Sequence, residues 1–245
     1  MNTGRTVKTA LLLGAIVIVS ACATASGPAE IDTSEGAELS FDGLYPVKNT
    51  SRFTKVWARE GFDLSGYTKI LLQGGGIEYR PVKNVSRTAI SRSSASEFPV
   101  SEKTKAQVRD IFAKAFTDEL ANVRGFEVVT EPGPDVLIVR GYLLDVVSKV
   151  PPEPIGRSEI YLSSVGEATL VIELVDPDSE AALLRAIQRG VAGRNRSGSL
   201  DMTTAIWSNP VTNMAEVRRL ASSWATRVRS GLEELADTYK IGTER

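Results

Sequence analysis

The chain's only thiol, Cys22, closes the run Val19-Ser20-Ala21-Cys22, and there is no histidine anywhere in the 245 residues. Without imidazole there is no Ser-His-Asp relay, no histidine general base and no His-ligated metal. One cysteine allows neither an internal disulfide nor a Cys-rich metal centre. Acid–base chemistry by Asp, Glu, Lys or Tyr remains open. The residue whose setting points to chemistry is therefore Cys22. Arg5 and Lys8 form a positive start, residues 10–19 run apolar, and small residues lead into the thiol. A membrane-spanning helix needs about 20 apolar residues. This run is about half as long, the length of a signal-peptide core.

Val19-Ser20-Ala21-Cys22 resembles the lipobox of bacterial lipoproteins: an aliphatic residue, two small ones, then cysteine. The resemblance implies diacylglycerol on the Cys22 thiol, cleavage between Ala21 and Cys22, and an N-acyl chain on the new terminus. No other cofactor is expected. Several acyl chains on one residue anchor stably, because each buried CH2 contributes about 0.8 kcal/mol. The residue after Cys22 is Ala23 and not Asp, which by the same resemblance implies the periplasmic face of the outer membrane. The chain carries 29 Lys and Arg against 30 Asp and Glu. That balance argues against nucleic acid as a partner. Cleavage removes Arg5 and Lys8 and no acid, so the acyl anchor, not charge, must hold the protein to anionic lipid.

The expected organisation is a signal peptide over 1–21, the acylated cysteine with a small, polar, acidic tether over 22–40, and one domain over 41–240. Ile70, Leu71 and Leu72 centre a first strand over 67–79, interrupted by Gly74-Gly75-Gly76. No GK[ST] follows that triplet, so it reads as a bulge or close backbone approach and not a phosphate cradle. Apolar residues at helical spacing from Val108 to Leu120 predict a helix over 101–123. A nearly continuous apolar run predicts a central strand over 135–150, covered on both faces. Alternation over 166–175 places Ala168, Leu170, Ile172 and Leu174 on one face and Thr169, Val171 and Glu173 on the other. Residues 176–180 form a turn leading to a partner strand over 182–192. Asn213 and Glu216 predict a capping box opening a last helix, with Val217, Leu220, Ala221, Trp224, Val228, Leu232 and Leu235 as its buried stripe. The expected fold is a two-layer α+β domain: a mostly antiparallel sheet of four to five strands with two amphipathic helices on one face.

Asp42-Gly43-Leu44, residues 64–72, Gly133-Pro134-Asp135-Val136-Leu137 and Gly166-Glu167-Ala168 resemble an uncharacterised bacterial lipoprotein family, domain of unknown function 3313. The resemblance covers most of residues 41–237. The chain departs from it at Gln73-Gly74-Gly75, where the family pattern has an Asp-Pro-like turn. The family brings no established activity.

Three surface features remain. Arg80, Lys83, Arg87 and Arg92, on a Ser- and Arg-rich loop over 80–97, are candidate contacts to an anionic envelope component. Glu167, Glu173, Asp176 and Asp178 are acids close in sequence, with the last two assigned to a turn. Trp207, in a polar loop, is a candidate partner contact. The apolar second face of the central strand over 135–150 favours a non-enzymatic envelope interaction or assembly module, docking on an envelope protein or on further copies of itself. The alternative is a binding protein for a small apolar or lipid ligand. A cavity lined from residues 136–147 distinguishes the second from the first.

Overall fold

The structure is a computed structural model that describes residues 29–82, 97–151, 159–193 and 205–239. Ala21 and Cys22, the expected cleavage and acylation site, lie outside these residues. Chain order is β1 (Glu30–Ile31), β2 (Tyr45–Lys48), β3 (Lys55–Ala58), β4 (Lys69–Tyr79), α1 (Glu102–Leu120), β5 (Glu127–Val129) and β6 (Val136–Ser148). There follow β7 (Tyr161–Leu162), β8 (Gly166–Val175), β9 (Ala182–Ala192), β10 (Ile206–Trp207) and α2 (Pro210–Tyr239).

The sheet corrects the expected fold. It has 8 strands in the order β1-β2-β3-β9-β8-β6-β4-β5, and β10 and β7 form a separate two-stranded sheet. It is mixed, because β4 runs parallel to both β5 and β6. The cause is α1: a helix between two strands carries the chain back to the same end of the sheet, so the following strand enters parallel. At the other edge β1, β2 and β3 extend β9 with antiparallel pairs. These strands are two to four residues long. Such runs are too short to show a period of two. Within the expected tether, Glu30 pairs with Lys48 and Ile31 with Val47.

One core joins the sheet to both helices. Ile70, Leu137, Val139, Leu170, Ile172, Leu174 and Leu184 face Val108, Phe112 and Leu120 of α1 and Ala221, Trp224, Val228 and Leu232 of α2. The expected alternation along β8 and the expected stripe of α2 are both present. Trp224 packs where a side chain on β9 would stand, because a β-carbon on Gly190 would lie 2.4 Å from its Cζ2. Phe112 of α1 meets the same indole at a centroid distance of 5.8 Å.

Among the described residues the opposite face carries no helix. Register runs one row across it through Gln73, Arg140, Glu173, Arg185 and Trp57. Arg185 is 8% exposed. Its guanidinium donates to both Asp42 oxygens at 2.8 and 2.6 Å, and its Nε donates to Glu173 at 2.8 Å. The Phe41 ring lies 4.5 Å from the same guanidinium. Long paired side chains thus dress this face, so neither a second helix layer nor a partner is needed to cover it.

Candidate functional site

α1 begins where Ser101 accepts the Thr104 N–H with its hydroxyl. α2 begins at Pro210, with Asn209 Oδ1 accepting the Thr212 N–H at 2.9 Å. Asn209 is therefore the cap. Asn213, expected at that position, lies one turn inside the helix. Proline at the first helical position explains the earlier start, since its fixed φ suits the helix and its missing N–H costs nothing there.

Between these two first turns and the ends of β6 and β8 lies a cleft of about 770 Å³, walled by Val108, Phe112, Leu143, Val147, Ala168 and Leu220 among others. A second cleft of about 790 Å³ runs between α1 and the sheet past Leu72, Ile77, Phe116, Val139 and Leu170. Both include Tyr79, Phe112 and Leu143 in their walls. Each has the volume of a small-molecule site, and its lining is mainly hydrophobic and aromatic.

The glycine triplet belongs to this region. The β4–β6 register shifts between Gly74 and Gly76. A β-carbon on Gly75 would lie 2.3 Å from the Tyr142 ring. This is the expected bulge with close approach, and it lets β4 turn past the mouth of the second cleft.

Polar residues on the walls include Ser101, Thr104, Gln107 and Asn213 in the first cleft and Glu102, Lys105 and Arg109 in the second. Among the described residues, Tyr79 Oη and Asn213 Oδ1 are both buried without a hydrogen-bond partner. Asn213 is 4% exposed, and its Nδ2 donates to Ser208 Oγ at 3.1 Å. Burial, with the Glu102 charge second, raises the Tyr79 hydroxyl pKa, so it stays protonated. Arg218 on the rim is exposed. Sequence reasoning missed both Tyr79, taken as a strand end, and Asn213, taken as a cap. The Asn209-Pro210 pair was the signal that moves the helix start and turns Asn213 inward.

The named surface residues fall elsewhere. Arg80 donates to Asp145 at 2.7 and 2.6 Å and pairs with Glu97. Lys83, Arg87 and Arg92 lie outside the described residues. Asp145 sits in a bulge of β6 at φ 54°, a conformation Asp tolerates better than most residues. Arg80 first and Arg189 second hold its carboxyl at about 2. Glu167 pairs with Lys149 and Arg189. Asp176 accepts the Ser179 N–H in the turn and the Tyr67 hydroxyl from across the sheet end. The acids are thus dispersed into separate contacts, and among the described residues no group of three or more could hold a metal. Trp207 is 54% exposed and faces Tyr161, 60% exposed, across the β10–β7 pair.

Fold and site together define a large eight-stranded mixed sheet, layered on one side by two helices that leave an open apolar cleft. The chain belongs to the family described as "Protein of unknown function (DUF3313)", whose profile matches residues 34–228. No curated protein matches the sequence. Among solved structures, a putative neuraminyllactose-binding hemagglutinin homolog from Helicobacter pylori is 12% identical. It covers 73% of this chain and 95% of its own, with a TM-score of 0.37. A PelC dodecamer from Paraburkholderia phytofirmans is 14% identical over 74% of this chain and 97% of its own, with a TM-score of 0.32. A Xanthomonas campestris protein is 10% identical over 74% and 91%, with a TM-score of 0.34. At these scores the likeness extends to neither function nor assembly.

Proposed function

We propose that this protein is a non-enzymatic envelope lipoprotein, held by acyl groups on Cys22 at the periplasmic face of the outer membrane, whose domain binds an apolar or lipid ligand. The observation that carries the ligand is the cleft beneath α1, walled by Val139, Leu143 and Val147 of β6. Those residues fall within the stretch whose cavity separates ligand binding from partner docking. The charged dressing of the opposite face weakens the docking alternative, which drew on a bare apolar surface there. Among the described residues no helix is long and apolar enough to cross a membrane, so the acyl anchor would supply the attachment.

One observation favours a second reading. Trp207 and Tyr161 expose two aromatic rings side by side, the kind of patch that anchors an envelope protein partner or another copy of the chain.

The test uses the full lipidated chain in phosphatidylcholine vesicles doped with palmitate esters that carry a photoactivatable diazirine. Label on peptides from α1 and β6 supports ligand binding in the cleft. Label confined to the neighbourhood of Cys22 sinks it. Label confined there together with a stoichiometric crosslinked protein at Trp207 in intact cells favours docking instead.

A further inference from the structure

Resting on the acyl anchor at Cys22 proposed above, and not on the ligand, we propose that the end of the sheet bearing Trp207, Tyr161, Pro210 and Val211 lies on the bilayer that holds the anchor, with these side chains in the headgroup layer.

Strand directions decide which end of the domain the anchor reaches. β6 and β9 finish at the same end, because Gly166 at the start of β8 pairs with both Ser148 and Ala192. β3 is antiparallel to β9, β2 to β3 and β1 to β2. β1 therefore runs opposite to β9, and the chain enters it from the end where β9 finishes. By register, Glu30 and its partner Lys48 stand level with Ile187 of β9. From there to Ala192 the sheet continues for about 17 Å. Residues 23–29 separate Cys22 from β1, a reach of at most about 30 Å from Glu30. The anchor thus extends past the level of Ala192 without turning. For the opposite end to face the bilayer, the chain would have to double back along the edge of β1.

The aromatic patch stands at the end so chosen. β10 packs just past β9, where a β-carbon on Gly193 would run into the Ile206 side chain. Trp207 and Tyr161 are exposed cross-strand partners on the β10–β7 pair. Pro210 and Val211 open α2 beside them, and both are exposed. Trp and Tyr favour the membrane–water interface, where the ring enters the apolar layer and the polar tip meets headgroups. The other exposed large apolar residues do not gather in one place. Leu39 and Phe41 precede β2, Val128 lies on β5 at the opposite edge of the sheet, and the Phe41 ring rests against Arg185.

Charge around the patch is mixed. Glu159 accepts the Tyr161 hydroxyl at 3.0 Å, Arg218 is exposed, and Arg219 pairs with Glu216. Where β1 enters, Glu30 is exposed and Asp32 pairs with Lys48. The contact therefore draws on apolar burial and suits a zwitterionic leaflet. Ile160, Pro210 and Val211 also line the cleft between the helix starts, so this orientation brings that wall of the cleft against lipid.

Cys22 is the only native thiol and acylation occupies it, so an added cysteine can be labelled alone. The fluorophore NBD is placed on Val211→Cys and, at the opposite end in the turn after β8, on Asp178→Cys. Each full lipidated chain is reconstituted in phosphatidylcholine vesicles containing spin-labelled phosphatidylcholine. The spin label should quench NBD at position 211 and spare it at position 178. Adding Trp207→Ser to Val211→Cys should lower the docked-to-free ratio read from the quenching about tenfold, as loss of one buried aromatic side chain implies, while the protein still floats with the vesicles. Quenching at 178 alone, or at neither position, in protein that floats overturns the orientation and leaves the anchor standing. Quenching at 211 that Trp207→Ser leaves unchanged overturns the role of the patch. Absence of quenching together with a stoichiometric protein crosslinked at Trp207 in intact cells assigns the patch to a protein partner instead. Protein that fails to float overturns the anchor, and the orientation with it.

Discussion

Asp42 and Arg185, 143 residues apart, meet in a two-pronged ion pair of 2.6 and 2.8 Å that fastens the amino-terminal segment to the sheet face opposite the two helices. Glu173, one strand over, holds the same guanidinium. Arg185 is nearly buried, so it needs both acids. Asp42→Ala should therefore lower stability by about 1–3 kcal/mol, the cost of the nearly buried guanidinium losing one of its two acidic partners. Urea unfolding read by tryptophan fluorescence measures this. A midpoint equal to wild type would show that the clamp contributes nothing.

Acid should loosen the same contacts. Arg185 holds the Asp42 carboxyl at about 2, against an ordinary 3.8. Arg80 and then Arg189 do the same for Asp145, and Tyr67 and then Ser179 for Asp176. Each folded-state pKa lies below the unfolded one, so the unfolded chain takes up protons first. The stabilisation is complete above about pH 4 and is lost as pH falls towards 2. With no histidine in the chain, no imidazole step should appear between pH 6 and 7. Urea midpoints at pH 7, 5, 4, 3 and 2.5 should hold level and then fall below 4. A level profile down to 2.5 would contradict the assignment.

Gly190 and Trp224 leave no room for a side chain between β9 and α2. Gly190→Ala would bring a methyl within 2.4 Å of the indole. The expected cost is about 1–3 kcal/mol from overpacking. The nearest clash is with the ring, and Leu220 Cδ1 stands beside it at 2.8 Å, so the double variant Gly190→Ala/Trp224→Leu should cost less than the sum of its two single changes. Strict additivity in thermal unfolding would place the strain elsewhere.

Filling the cleft should block it without unfolding the domain. Leu143 lines both parts of the cavity. Leu143→Trp should cut diazirine labelling of α1 and β6 by about an order of magnitude, as loss of more than 1.4 kcal/mol of binding requires. The circular dichroism spectrum should stay that of wild type. Retained labelling would move the ligand out of this cleft.

Cys22→Ser tests the anchor independently. The mass increment of the acyl groups and the recovery of the protein in the membrane fraction should both disappear. Membrane recovery without the increment would point to a different mode of attachment.

The long elements were legible because their apolar residues repeat. β8, α1 and the buried stripe of α2 follow from a period of two or of 3.6, β6 from its nearly continuous apolar run and β9 from the turn before it. The turn over 176–180 follows from its Asp, Pro and Ser, and the glycine triplet from its lack of side chains. β1, β2 and β3 were hidden because a strand of two to four residues has no period to read. The start of α2 was misplaced because Asn213 and Glu216 imitate a capping box, whereas Asn209 with Pro210 supplies the actual cap.

The sequence by itself determined the local facts: no imidazole chemistry, one thiol set at the end of a signal-like run, two amphipathic helices and four long strands, with family membership resting on the same residues. Tertiary structure decided the rest. It chose a parallel entry for β5 and β6 beside β4, because α1 returns the chain to the same end of the sheet. It brought Asp42 to Arg185 and Glu173 across long stretches of chain. It also left Tyr79 and Asn213, 134 positions apart in numbering, on the walls of one apolar cleft. Periodicity reports which face of an element is apolar. It does not report which faces fail to close against each other, and the cavity exists only in that mismatch.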